Sequence, residues 1–271
     1  MLAIIAYVRR GADPAAKPET LFDQAWYLRQ APEVAAGRVS PLVHYLTSEA
    51  ACRRSPHPLL HSTFYAQANA EALAASGLTP LEHFMRVGAA EGRDPHPLFS
   101  IEHYVGQAWD LVGSGANPVM HYLQRGWRDR LTPHPLFAPD YYESQMGEPP
   151  AGPPLVHYLK QEGPKRHRPH PLFDPDAYLG LYPDVASGGD EPLTHYVMAG
   201  GTEGRSPSVW FDAHAYMRQR GSARPDERNP LIDYLQGGAW TLGEPWLDPA
   251  TIEVCGMTPL ERWARQGLLP A

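Results

Sequence analysis

The chain has 271 residues, of which 43% are hydrophobic and 20% charged, and carries a formal net charge of −7. That apolar share supports a folded core and excludes wholesale disorder, while net acidity with a pI near 6.0 is far from the concentrated basic face that nucleic-acid binding requires. The 30 prolines and 24 glycines exclude long uninterrupted helices, and two cysteines, Cys52 and Cys255, are too few for a disulfide framework or a thiolate zinc site.

In chain order, the apolar stretch Met1 to Val8 is followed by Arg9 and Arg10 and has neither the leading positive charge nor the cleavage site of a secretory signal. No segment approaches the roughly 18 apolar residues of a membrane span. The expectation is a cytoplasmic chain, with peripheral attachment at the inner face of the membrane as the alternative.

From Pro18 onward one pattern repeats. A Pro-Leu-x-His-Tyr signature runs from Pro41 to Tyr45, Pro80 to Phe84, Pro118 to Tyr122, Pro154 to Tyr158 and Pro192 to Tyr196, then drifts at Pro230 to Tyr234 and Pro259 to Trp263. Its steps are 39, 38, 36, 38, 38 and 29 residues. A second signature, Pro-His-Pro-Leu-Phe, keeps the same step at Pro56, Pro95, Pro133 and Pro169, with degenerate copies at Pro18 and Pro207. Five residues after the last residue of each of these signatures comes Tyr27, Tyr65, Tyr104, Tyr142, Tyr178 or Tyr216. Tyr7, 38 residues before Tyr45, extends the series toward the amino terminus. The period therefore divides the chain into a half-repeat or cap at 1–21, six repeats at 22–59, 60–98, 99–136, 137–172, 173–210 and 211–246, and a shortened repeat at 247–271.

Within a repeat, Asp23, Ser62, Ser100, Asp174 and Asp212 are expected to cap a first helix that carries the recurring tyrosine. Segments such as Pro32 to Ala35 and Pro183 to Ala186 place proline at a first helical position and predict a turn or two of helix. Ser40, Thr79, Asn117, Asn229 and Thr258 stand before the signature proline in the order N-cap then N1. They predict a third helix of about eight residues, ending near Gly88, Gly126, Gly200 or Gly238 as a C-terminal cap. The stretch from Glu91 to Pro97 is too proline-rich for helix. Helices this short need their neighbours, because nucleation costs more than two turns of hydrogen bonds return. The fold class expected is all-α, a solenoid-like array of short helices joined by proline-rich loops.

The consensus is best preserved as Leu172-Phe173-Asp174, Tyr178, Tyr182-Pro183-Asp184-Val185-Ala186, Pro192-Leu193-Thr194-His195-Tyr196 and Gly200-Gly201-Thr202-Glu203-Gly204-Arg205. It resembles the tandem repeats that accompany bacterial glycosyltransferase domains in capsule, exopolysaccharide and other cell-surface glycan assembly. The resemblance implies a partner that is a glycosyltransferase or another polysaccharide-assembly protein, or a glycan. In that family catalysis lies in a separate nucleotide-sugar-binding fold, and no such α/β domain is legible here. Units lacking the Tyr-Pro-Asp-Val-Ala segment, such as Met146 to Pro153, depart from the pattern.

Nine of the 13 histidines fall in register. His44, His83, His121, His157 and His195 occupy the third helix, and His57, His96, His134 and His170 the loops. A metal or acid–base role needs imidazoles and a carboxylate to converge, whereas stacked repeats set equivalent residues about 10 Å apart. The structural alternative has each imidazole bonded within the repeat array. Arg93 and Arg205, in Glu-Gly-Arg triplets, could clamp an acidic sugar or form ion pairs across a turn. Asp174 and Asp176 match a metal-holding acidic pair of glycosyltransferases, against helix capping for Asp174.

The tyrosines could be a sugar-stacking ladder or core. Trp109, Trp127, Trp210, Trp240, Trp246 and Trp263 mostly stand outside the repeat positions and suit a recognition surface. The candidate binding residues are His44, His83, His121, His157, His195, Arg93, Arg205, Trp127 and Trp210. No catalytic residue, metal or cofactor is expected, since no phosphate loop, nucleophile elbow or His-Glu-x-x-His helix occurs. The functional expectation is a non-catalytic repeat scaffold. The alternatives are a metal-dependent glycosyltransferase or an accessory domain of one, and a histidine-rich metal-binding array.

Overall fold

The computed structural model describes residues 21–35, 37, 39–161, 167–219 and 229–238. The half-repeat up to residue 20, the shortened repeat at 247–271, and Thr258, Cys255, Trp240, Trp246 and Trp263 lie outside them. Two compact units divide the chain, residues 1–133 and 134–271. Among the described residues all regular elements are helices, and no strand forms. Isolated bridges such as His57 to Leu60 and His170 to Phe173 mark tight turns in the proline-rich loops.

In the first unit the tyrosine-bearing helices are Gln24–Gln30, Ser62–Ala68 and Ile101–Gln107. Those of the second unit are Pro139–Ser144, Pro175–Leu181 and Ala213–Gln219. Capping explains where they start. Asp23 accepts from the Trp26 N–H at 3.0 Å, Ser100 from His103 at 3.3 Å, Asp174 from Ala177 at 3.1 Å and Asp212 from Ala215 at 2.9 Å. The second repeat differs from expectation: His61 is the cap, its Nδ1 accepting from the Phe64 N–H at 3.1 Å, and Ser62 is the first helical residue. Counting from the Leu59-Leu60 pair puts His61 at the capping position, so the register there moves by one.

Among the described residues the signature prolines each open a helix. Thr79 forms a capping box with Glu82, and Asn117 and Asn229 each accept two backbone N–H groups, whereas Ser40 makes no side-chain cap bond. In the fifth repeat Glu191 caps through both carboxylate oxygens, accepting from Leu193 at 3.1 Å and Thr194 at 2.7 Å.

These helices end in two ways. Where the eighth residue after the proline is glutamate (Glu49, Glu162), the α-helix stops after seven residues, Pro41–Thr47 and Pro154–Lys160. Where it is glycine, one α turn passes into a π turn, Phe84–Gly88, Tyr122–Gly126, Tyr196–Gly200 and Tyr234–Gly238. The wide ring is closed by bonds such as Gly201 N–H to Tyr196 O at 2.8 Å.

The glycine's role is therefore corrected. Gly88, Gly126 and Gly200 are not left-handed caps but points of close approach: a Cβ on any of them would overlap the hydroxyl of Tyr65, Tyr104 or Tyr178. Four residues further on, Gly92 and Gly204 are left-handed, and in the third repeat that conformation is held by Arg130 at φ 61°.

Each repeat buries an aromatic cluster. Phe99, Tyr104 and Tyr122 have ring centroids 5.3, 5.6 and 5.8 Å apart, and Phe173, Tyr178 and Tyr196 repeat the arrangement at 5.4, 5.5 and 5.8 Å. Edge-to-face contacts of this kind add about 0.5–1.5 kcal/mol each beyond area burial.

Each of these repeats is closed on itself through the backbone. The N–H of the residue after each Leu-Phe pair donates to the loop proline near the end of the same repeat: Asp23 to Pro56 at 2.7 Å, His61 to Pro95 at 2.9 Å, Ser100 to Pro133 at 3.0 Å, Ala138 to Pro169 at 2.9 Å and Asp174 to Pro207 at 3.2 Å. The tyrosine of the Pro-Leu-x-His-Tyr signature reaches into the next repeat, Tyr158 donating to the Glu191 carboxylate at 2.5 Å.

Candidate ligand-binding surface

The two histidine rows have separate partners. On the signature helices, Nδ1 of His44, His83, His121, His157 and His195 lies 2.9, 2.8, 2.7, 2.8 and 3.0 Å from the hydroxyl of Tyr27, Tyr65, Tyr104, Tyr142 and Tyr178. Burial holds four of those phenols in the protonated form: it raises Tyr27, Tyr104 and Tyr178 above the ordinary tyrosine range and pushes Tyr65 up to about 12. A buried, protonated tyrosine is a hydrogen-bond donor here and neither a base nor a stacking platform. The ring faces that a sugar ladder would need are covered by Phe and Tyr neighbours.

In the loops, Nδ1 of His57, His96, His134 and His170 accepts from the N–H two residues on, at 3.0, 2.9, 3.1 and 3.2 Å. All four are buried, and burial pushes His170 down to about 3. The next copy substitutes Ser208, whose Oγ accepts from the Trp210 N–H at 3.3 Å, so the position asks for a hydrogen-bond acceptor rather than an imidazole. Among the described residues no three His, Cys, Asp or Glu side chains gather to hold a metal ion.

The arginines are held by ion pairs. Arg93 Nε donates to Glu91 at 2.6 Å and its Nη1 to Asn69 at 2.5 Å. Arg205 Nε donates to Glu203 at 2.6 Å, its Nη1 pairs with Asp184 at 2.8 Å, and its guanidinium lies 4.9 Å over the Tyr182 ring. Arg54 repeats this tie with Glu33 at 2.5 Å. Asp174 divides its carboxylate between the helix cap and Arg168. Trp127 is half-buried with the Arg128 guanidinium 4.5 Å over its ring, and Trp210 is half-buried in the loop turn.

One recurrent set escaped the motif reading. Gln30, Gln107 and Gln145, three residues after the tyrosine, each bond both ways to the backbone of the residue before the loop proline: Ser55 at 2.9 and 3.0 Å, Thr132 at 2.8 and 3.0 Å, Arg168 at 2.8 and 3.0 Å. In the fifth repeat Tyr182 takes that task, its hydroxyl accepting from Ser206 at 2.7 Å. The constant spacing from the tyrosine was the available signal.

With these side chains committed internally, the open concave surface lies between repeats. In the first unit a groove of about 680 Å³ separates the first and second repeats, lined by Leu46, Ala66, Leu73 and Thr79 among others. A second, of about 560 Å³, separates the second and third and includes Met85, Val105, Leu111 and Asn117. Leu46 and Met85 each follow the signature aromatic, Ala66 and Val105 each follow the buried tyrosine, and Thr79 and Asn117 are both N-caps. The grooves are thus built on equivalent repeat positions with different side chains, which is why no sequence motif marks them. No helix among the described residues is long and apolar enough to cross a membrane.

Comparisons with protein-family models, with curated proteins and with solved structures return no match to this chain.

Proposed function

We propose that this chain is a non-catalytic repeat scaffold, its units stacked in a solenoid-like array, that binds a polysaccharide-assembly protein such as a glycosyltransferase, or a glycan, during bacterial cell-surface polysaccharide synthesis. The observation that carries the reading is the groove recurring at equivalent positions between successive repeats. Recurrent concave surface is what stacked repeats offer a ligand. The groups that could perform chemistry, the paired histidines, tyrosines and Asp174, are engaged in bonds inside the array. The biological setting comes from the resemblance of the Tyr-Pro-Asp-Val-Ala and Pro-Leu-Thr-His-Tyr segments. None of the candidate residues His44, His83, His121, His157, His195, Arg93, Arg205, Trp127 and Trp210 lines either groove.

The test is retention: the full chain, immobilised, is exposed to membrane extract of a capsule-producing bacterium, and eluates are analysed by mass spectrometry and monosaccharide composition. Specific recovery of a glycosyltransferase or a surface polysaccharide supports the reading. Recovery of neither overturns it.

A further inference from the structure

The third repeat differs from the others on its outer surface. Its middle segment forms a single 3-10 turn, Trp109–Leu111, followed by Gly113 and Gly115, both left-handed at φ 75° and 68°. Trp109 is 85% exposed and Val112 72% exposed. The matching position is Pro32 in the first repeat, Ala70 in the second and Pro183 in the fifth, so the repeat fold has no need of an indole there. The same segment supplies Leu111 and Val112 to the groove between the second and third repeats.

An ionic cluster begins at the next residue in the chain. Asp110, next in the chain, lies 3.6 Å from Arg125 Nη1, and Arg125 Nε is held by Asp129 at 2.6 Å. Asp110 also lies 3.5 Å from the buried Nε2 of His121, which has no hydrogen-bond partner. Asp110 is free for this because Leu131 replaces the loop arginine that ties the corresponding acid in the first and fifth repeats.

We propose that Trp109, with Asp110 and Arg125, is a saccharide-binding platform on which the indole stacks against the C–H face of an uncharged sugar ring. The proposal deepens the binding role argued above and rests on it. A sugar ring is apolar on its face and hydroxylated at its edge. The indole suits the face, while two carboxylates and one guanidinium accept from and donate to the edge hydroxyls. A protein anchor is typically ringed by apolar groups that exclude water, whereas the residue that follows Trp109 is the charged Asp110, paired with Arg125. Two carboxylates against one guanidinium, on a chain of net charge −7, disfavour an anionic polymer.

Isothermal calorimetry on the full chain, with neutral gluco-, galacto- and manno-hexaoses and a hyaluronan hexasaccharide as the anionic comparison, tests the site. Binding of a neutral hexaose is expected, weakened roughly tenfold or more by Trp109→Ala and largely kept by Trp109→Phe. Melting temperature should not move, because the side chain stands in solvent. Neutral binding that Trp109→Ala leaves intact, absence of binding to every neutral probe, or preference for hyaluronan would each overturn the site. A glycosyltransferase retained from extract by wild type but lost with Trp109→Ala would also overturn it, while leaving the scaffold reading standing. Retention of neither partner in the extract experiment removes that reading separately.

Discussion

Tyr216 donates its phenolic hydrogen to Asp233 Oδ2 at 2.7 Å, at the position where five other repeats set a buried tyrosine against histidine. A carboxylate has no hydrogen to give, so the tyrosine is the donor and its partner need only accept. If the other repeats keep these roles, Nδ1 receives the phenol and the imidazole hydrogen sits on Nε2.

Replacing the acceptor should therefore be costly only when no acceptor takes its place. His195→Leu leaves the Tyr178 hydroxyl buried and unpaired, and should destabilise by about 1–3 kcal/mol. His195→Asp should cost clearly less. Denaturant unfolding of both, repeated in a Tyr178→Phe background, checks this, since the extra cost of leucine should largely vanish once the hydroxyl is gone.

Gly126→Ala forces a methyl group into the Tyr104 hydroxyl. Overpacking of this kind costs about 1–3 kcal/mol. Tyr104→Phe removes the colliding oxygen, so the double variant should melt closer to wild type than Gly126→Ala does. Equal melting of the single and double variants would contradict the close approach.

Arg130 holds φ 61° where the second and fifth repeats have Gly92 and Gly204. The left-handed conformation costs a residue with a Cβ roughly 1–2 kcal/mol. Arg130→Gly should accordingly raise thermal stability by up to about 1 kcal/mol, the gain being reduced by the greater freedom glycine brings to the unfolded chain. Differential scanning calorimetry reads the direction.

Acid should weaken the second unit through His170. Its folded pKa is about 3 against an ordinary 6.5, so the unfolded chain binds the extra proton between those values. The stabilising contribution is complete above about pH 6.5 and is lost progressively as pH falls toward about 3. His170→Ser, copying Ser208, keeps an acceptor for the turn and should flatten this slope, though it opens space and lowers stability at neutral pH. Urea unfolding at a series of pH values separates the two effects.

Much of the local architecture is legible because it depends on neighbours close in sequence. Asp23, Asp174 and Asp212 cap helices because their side chains meet N–H groups two or three residues on, and Pro41, Pro80 and Pro118 open helices because their missing N–H is not needed there. The periodic tyrosines and histidines could be read as repeat markers, but not as partners. Tyr27 and His44 stand 17 residues apart, and only the packing of two helices brings hydroxyl to ring nitrogen. The same holds for Gly88, whose role comes from the Tyr65 hydroxyl above it rather than from its own backbone angles.

The amino-acid sequence alone determined the period, the short helices and the polar caps, since each follows from steric and hydrogen-bonding preferences acting over a few residues. Tertiary structure decided which acceptor each buried tyrosine meets, which glycines sit beneath a hydroxyl and where grooves open between repeats. Those outcomes depend on the separation of helices distant in the chain, a quantity that no spacing of letters records.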